Sequence, residues 1–285
     1  RPGKKRRESQ KDQDLNTGKK RNGLFVFITA REAGDTNANI IGMTAAFGFG
    51  LAYMSWTQSA LVSRWFAGVA LAGNIAVAAL SASRKAVIMV ALIVLLFSLL
   101  NSSFRGLRRV LRIVTAGVLG VAGYFLLMNF APLYDLVGHR METMMNGFLS
   151  SGEVDASTST RFSLIERGIG WFREAPWIGH GVDNFRALMA VYYPREFSYY
   201  AHNNFVELLV NGGIVGLVAF YWLYVVIIVR GFKLRIVLNS TQSMILTLMV
   251  TLILIEYGAI DYYSRIFMAF VGLAWVALCT DTGRI

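Results

Sequence analysis

Long uncharged apolar runs, separated by short polar connections, fill most of the chain. They lie at Thr36–Ser63, Trp65–Ser83, Ala86–Phe104, Ile113–Tyr134, Leu208–Val229, Ile236–Ile255 and Ile266–Thr280. A helix needs about 20 predominantly apolar residues to cross the hydrocarbon core of a bilayer. Six of the runs meet that measure and the last is shorter. The pattern predicts an all-α membrane protein, a polytopic bundle of about seven transmembrane helices. Four helices fall in 36–134 and three in 204–285, with a long loop over 135–203 between them. Residues 1–35 are expected to be a basic polar tail without stable structure.

Short loops rich in Lys and Arg stay on the cytoplasmic side. Arg105, Arg108, Arg109 and Arg112 lie between the third and fourth runs, and Arg230, Lys233 and Arg235 between the fifth and sixth. Both loops are therefore expected in the cytoplasm. The opposite face then receives Arg84 and Lys85, the 134–203 segment and the Glu256–Arg265 turn, where they could share one site.

The long loop opens with turn-forming residues over Ser150–Thr160. From Arg161 the pattern changes: Phe162, Ile165, Ile169 and Phe172 recur at helical spacing, which predicts an amphipathic helix over Arg161–Glu174 at the membrane surface. Pro176 and the Gly179 and Gly181 pair end it, and Asp183–Tyr192 reads as a second short helix.

Composition fits this picture. Hydrophobic residues make up 55% of the 285 and charged residues 16%, against about 25% charged in an ordinary soluble domain, so a water-soluble globular fold is excluded. The net charge of +11 is concentrated: nine Lys or Arg against three Asp or Glu stand in Arg1–Arg21. That head reads as a solvated tail, with anionic lipid as its competing partner. No nucleic-acid module accompanies it, so nucleic acid is not an expected partner. The head would lie outside by the loop rule, unless Leu24–Ala30 dips into the membrane without crossing. The chain opens on Arg and shows no signal-peptide cleavage pattern, and is expected to be part of a longer protein with spans upstream.

The only cysteine, Cys279, lies in an apolar run and reads as a small buried hydrophobe. The three histidines, His139, His180 and His202, have no ligand spacing, so no metal and no cofactor are expected. His202 stands just before a membrane helix in Ala201-His202-Asn203-Asn204-Phe205, where an imidazole with a pKa near neutrality can act as a general base. Arg84, with Lys85, sits at the start of an apolar helix and either snorkels to the interface or faces a lipid diphosphate, which guanidinium groups bind bidentately. Arg161 is a second candidate of that kind. Gly212, Gly213 and Gly216 fall within a hydrophobic span, where small residues chiefly allow close helix packing.

Several motifs then combine. Arg161, Trp171 and Pro176-Trp177-Ile178-Gly179-His180-Gly181-Val182-Asp183-Asn184-Phe185 are followed by His202-Asn203, Glu207-Leu208 and the Gly212-Gly213 span. Ser83-Arg84 precedes an earlier membrane helix, and Arg31, Gly34 and Asn37-Ala38-Asn39 come before that. Order and spacing resemble the O-antigen ligase and polymerase superfamily over about Arg31 to Arg230.

The resemblance implies a metal-independent glycosyltransferase of the bacterial cytoplasmic membrane, multi-pass and active on its outer face. It would take a glycan from an undecaprenyl diphosphate carrier and join it to an acceptor hydroxyl. By the same resemblance Arg84 and Arg161 hold the diphosphate and His202 deprotonates or orients the acceptor. Lys85, Asn203 and Glu207 support them, and Tyr192, Tyr193, Tyr199 and Tyr200 either stack on sugars or anchor at the interface. The expected partners are the carrier-linked oligosaccharide, an acceptor glycan, the bilayer and other polysaccharide-assembly proteins. The wording is closest to surface-polysaccharide polymerases, with a ligase to a lipid or protein acceptor second. A flippase of lipid-linked glycan would instead place ionisable residues in mid-membrane.

Overall fold

The computed structural model describes residues 38–58, 63–81, 83–101, 106–131, 134–138, 142, 156–194, 199–234 and 237–280. The basic tail, Arg31, Gly34, Asn37 and His139 lie outside the described residues, as does the side chain of Arg84. Regular structure among the described residues is entirely helical. The seven apolar runs form α1 (Ala38–Gln58), α2 (Arg64–Leu80), α3 (Arg84–Leu100), α4 (Leu107–Asn129), α7 (Asn204–Leu234), α8 (Ser240–Glu256) and α9 (Arg265–Trp275). The long loop supplies α5 (Ala156–Glu174) and α6 (Asn184–Tyr192), and π-helical turns occupy Tyr134–Gly138 and Val276–Thr280. Within α1 and α7, Asn39–Thr57 and Asn204–Leu234 are long and apolar enough to cross a membrane; the other five carry shorter apolar stretches, such as Val110–Leu126 in α4.

Three helix starts have a local cause in a side-chain cap. Ser63 caps α2 by accepting the Phe66 amide, and Ser83 caps α3 by accepting the Ala86 amide. Asn239 and Gln242 form a reciprocal capping box on α8. Such a cap contributes about 1 kcal/mol. The Ser83 hydroxyl also donates to Asn39 Oδ1 at 2.9 Å, so the cap of α3 is fastened to the start of α1. Gly42 makes that approach possible, because a Cβ there would lie 2.4 Å from the Ser81 hydroxyl oxygen.

Helix α8 is central. It buries Met244, Leu248, Met249, Leu252 and Ile255 together with Ser243, Thr247, Thr251 and Glu256, around nearly its whole circumference. It packs against α1, α3 and α7. One core gathers Phe47, Met89, Ile93, Phe97, Met244, Leu248 and Phe270. Within it the rings of Phe47 and Phe270 meet edge to face at 4.5 Å. A second, smaller core of Leu164, Trp171, Phe185, Met189, Ala201, Val206 and Val210 joins α5 and α6 to the first half of α7.

Two expectations are corrected here. Helix α5 begins at Ala156 and takes in part of the stretch read as turns; its apolar face is also different. Leu164, Gly168 and Trp171 are buried against α7, while Phe162 is 60% exposed and Ile169 38%. Gly168 decides the face, because a Cβ there would lie 2.5 Å from Val206 Cγ1 and the two helices meet at that point.

The second correction concerns α7. Gly213 is not a helix-packing residue: its backbone leaves helical geometry at φ 62°, ψ −162°. The break exposes backbone groups that the Pro176–Gly181 loop satisfies. The amides of His180 and Gly181 donate to the carbonyls of Val210 and Asn211, and those of Ile214 and Val215 to Pro176 and Trp177, at 2.8 to 3.1 Å. A Cβ on Gly213 would lie 2.4 Å from the Trp177 backbone, whereas Gly212 and Gly216 have open space.

Candidate active site

The site grows from the turn that joins the long loop to α7. His202 adopts φ 54°, a left-handed conformation uncommon for a residue with a Cβ. Its neighbours hold it there. Asn203, 3% exposed, accepts the Val206 amide at its side chain and the Glu207 amide at its carbonyl, which starts the helix. Glu207, 1% exposed, turns back and accepts the Ala201 amide at 2.9 Å. Asn203 and Glu207 thus fix the turn on either side of His202.

Two other elements bring cations to the same imidazole. Arg161 from α5 and Lys85 from the first turn of α3 act electrostatically on His202. Burial first, then the charges of Arg161 and Lys85, lowers its pKa from 6.5 to about 4. The ring is thus neutral at physiological pH and can accept a proton. Lys85, Arg161 and His202 are far apart in the chain, yet they share one electrostatic neighbourhood. Arg84 opens α3 immediately before Lys85.

The other histidine within the described residues has a different part. His180 Nε2 lies 2.8 Å from the Trp171 carbonyl, so the ring ties the end of α5 to the loop that docks on Gly213. The tyrosines divide into two groups. Tyr192 and Tyr193 surround Trp171, and Arg167 lies 3.7 Å above the Tyr193 ring. Tyr200 instead packs on His202, with centroids 4.1 Å apart, and Arg186 lies 5.7 Å from its ring.

The residues that sequence reasoning missed lie beneath this surface. Asn204 is fully buried; its Nδ2 donates to Tyr221 at 2.9 Å and its Oδ1 accepts the amides of Asp261 and Tyr262 at 3.3 Å. Tyr221 in turn donates to Glu256 Oε2 at 2.5 Å. Asn211 accepts the Phe185 amide at 2.9 Å and donates to the Tyr262 hydroxyl at 3.5 Å. The Asn203-Asn204 doublet and two acids near a span end were the available signals. Among the described residues no group of three or more His, Cys, Asp or Glu side chains gathers as a metal site.

The family model for O-antigen ligase matches residues 67–221, more than half of the chain, from α2 through the long loop into α7. The chain belongs to the O-antigen ligase family. No curated protein matches it. O-antigen ligases and polymerases are membrane proteins that join a lipid-linked glycan to a glycan acceptor, and the family match contains Lys85, Arg161, His202, Asn203 and Glu207. In this O-antigen ligase family member the His202 turn is therefore the part of the matched region where a neutral base and two cations meet.

Proposed function

We propose that this chain is a glycosyltransferase of the bacterial cytoplasmic membrane, spanning it several times, that transfers a glycan from an undecaprenyl diphosphate carrier to an acceptor hydroxyl on the outer face. Its product is lengthened surface polysaccharide. The observation that carries the reading is His202 in its left-handed turn at the start of α7, packed on Tyr200, with the charges of Arg161 and Lys85 acting on its ring.

The chemistry follows from that arrangement. His202 takes the proton of the acceptor hydroxyl as its oxygen bonds to the anomeric carbon. The bond from that carbon to the carrier diphosphate breaks, its electron pair leaves with the diphosphate, and the anomeric configuration inverts. Arg161, Lys85 and Arg84, its neighbour in sequence, offset the charge that grows on the leaving group. These cations supply the charge compensation that a divalent metal provides in other transferases, so the reaction needs none.

Several spans are supported by the exposed apolar flanks. Val110, Val114, Val118, Val121 and Phe125 on α4, and Val215, Val218, Trp222, Val225 and Val229 on α7, are each 45% or more exposed. Apolar surface on that scale has lipid as its natural solvent. The positive ends, Arg112 on α4 and Arg230 and Lys233 on α7, favour the cytoplasmic side by the loop-charge rule.

A deletion strain tests the reading in cells. A polymerase predicts single repeat units in place of long chains; normal chain length with glycan missing from its final acceptor would identify a ligase instead. Accumulation of carrier-linked glycan on the inner leaflet alone would contradict both and point to a flippase.

A further inference from the structure

Glu256 ends α8 and Asp261 stands in the turn before α9, and both are buried, at 0% and 2% exposure. Glu256 Oε2 accepts the Tyr221 hydroxyl. Among the described residues, no N–H or O–H donor reaches Glu256 Oε1 or either carboxyl oxygen of Asp261. The two carboxyl groups, at the two ends of the turn between α8 and α9, act on each other electrostatically. Two interacting carboxylates are costly to ionise together in a buried setting, which favours one proton on the pair. That proton supplies a donor which the unpaired oxygens otherwise lack.

One negative charge remains, and its neighbour is on the page. A Cβ on Gly258, in the same turn, would lie 3.6 Å from Lys85 Cε, so the lysine stem runs along this turn. The Lys85 charge acts on Asp261 and also on His202. Lys85 therefore connects the buried pair to the candidate base.

We propose that Glu256 and Asp261 share one proton, and that the charge left on Asp261 is the counter-ion holding Lys85 at the His202 face. Asp261 is then a positioning residue for glycan transfer, and this role rests on the transferase reading above. Glu256 has the complementary task of carrying the proton, so the core holds one charge instead of two. Asn204 links the layers: it accepts the Asp261 amide and donates to Tyr221, two residues from His202. The groups that bear on Asp261 are Lys85 from α3, Glu256 from α8, Tyr221 and Tyr224 from α7, and Tyr263 in its own turn.

The arrangement has a pH signature. Burial raises the Asp261 carboxyl from 3.8 to about 6, while Glu256 and Lys85 act in the opposite direction. A raised acid favours the folded state at low pH, and that contribution is lost as pH rises from 3.8 through about 6. Keeping Asp261 ionised at neutral pH is thus a stability cost that its role must justify.

The test is a double-mutant cycle on the full chain in proteoliposomes, with carrier-linked glycan as substrate. Asp261→Asn and Lys85→Gln should each raise the donor KM about tenfold, and the double variant should be no worse than either single one. Asp261→Asn should also match or exceed the wild-type Tm at pH 8, since it removes a buried charge. Glu256→Gln keeps the Asp261 charge and should hold KM near wild type, while abolishing the carboxylic-acid carbonyl band in the infrared spectrum. Additive losses in the cycle, or a lower Tm with unchanged KM in Asp261→Asn, would overturn the positioning role. No carboxylic-acid band in the wild type would overturn the shared proton. Wild-type protein that binds carrier lipid but never turns over would instead fail the transferase reading, whatever the spectrum shows.

Discussion

The carboxylate of Glu207 accepts the amide of Ala201 at 2.9 Å, and this one bond closes the turn in which His202 is presented. The turn needs it, because a left-handed residue with a Cβ costs on the order of 1–2 kcal/mol and His202 sits at φ 54°. Replacing Glu207 with Ala leaves a buried amide without its partner, a loss of about 1–3 kcal/mol. We expect a lower Tm and a fall in turnover in Glu207→Ala, and near-normal Tm in Glu207→Gln, whose amide oxygen still accepts. Thermal melts beside turnover assays read both, and full activity in Glu207→Ala would mean the turn is held by other contacts.

His202 should stay neutral well into acid. Its pKa lies below that of the unfolded chain, so the folded state binds this proton more weakly. The stability it contributes is complete above about 6.5 and falls as pH drops towards about 4. A proton titration of the imidazole by NMR should show its midpoint near 4, well under the ordinary histidine range. A midpoint at 6.5 would remove the electrostatic account of the site.

Arg161 and Lys85 contribute to that lowering after burial. Neutralising either one, as Arg161→Gln or Lys85→Gln, should therefore move the His202 titration upwards while leaving it below 6.5. The same spectra decide the matter, and an unmoved midpoint in both variants would separate these cations from the imidazole. Arg161→Gln should also weaken donor binding by about tenfold, the scale of one lost charge-assisted contact.

Gly213 should tolerate no side chain. A Cβ there meets the Trp177 backbone at 2.4 Å, and its φ of 62° with ψ −162° lies in a region reserved for glycine. Gly213→Ala should unseat the Pro176–Gly181 loop and lower the Tm by several degrees, and protease should then cut that loop faster. By contrast, Gly216→Ala, with open space at its Cβ, should melt like the wild type. Equal melting of both variants would contradict the docking of loop on broken helix.

Much of this was readable in the chain. Uncharged runs located α1 to α4 and α7 to α9, because an apolar stretch bounded by charges has few other structures open to it, whereas the 19-residue α5 showed itself through amphipathic spacing. Charge bias in short loops led to the expectation of Lys85, Arg161 and His202 on one face, and the charges of the first two do act on the third. What escaped was what depends on third partners. Gly213 looks like any small residue in a span until the loop that replaces its helical bonds is seen. The buried stripe of α5 is Leu164, Gly168 and Trp171 instead of the larger Phe162 and Ile169, since contact with Val206 rewards a glycine. Asn204, Glu256 and Asp261 left only weak signals for the same reason: a buried polar group is defined by partners on other helices, not by its own neighbours in sequence.

Turnover in vitro is the most direct test. The full-length protein, reconstituted with a carrier-linked glycan and assayed with and without a chelator, should lengthen the glycan equally in both conditions, while His202→Ala and Arg161→Ala reduce the rate by at least about a hundredfold. Retained turnover in both variants, or its loss from the wild type on chelation, would contradict a neutral histidine and fixed cations as the catalytic apparatus.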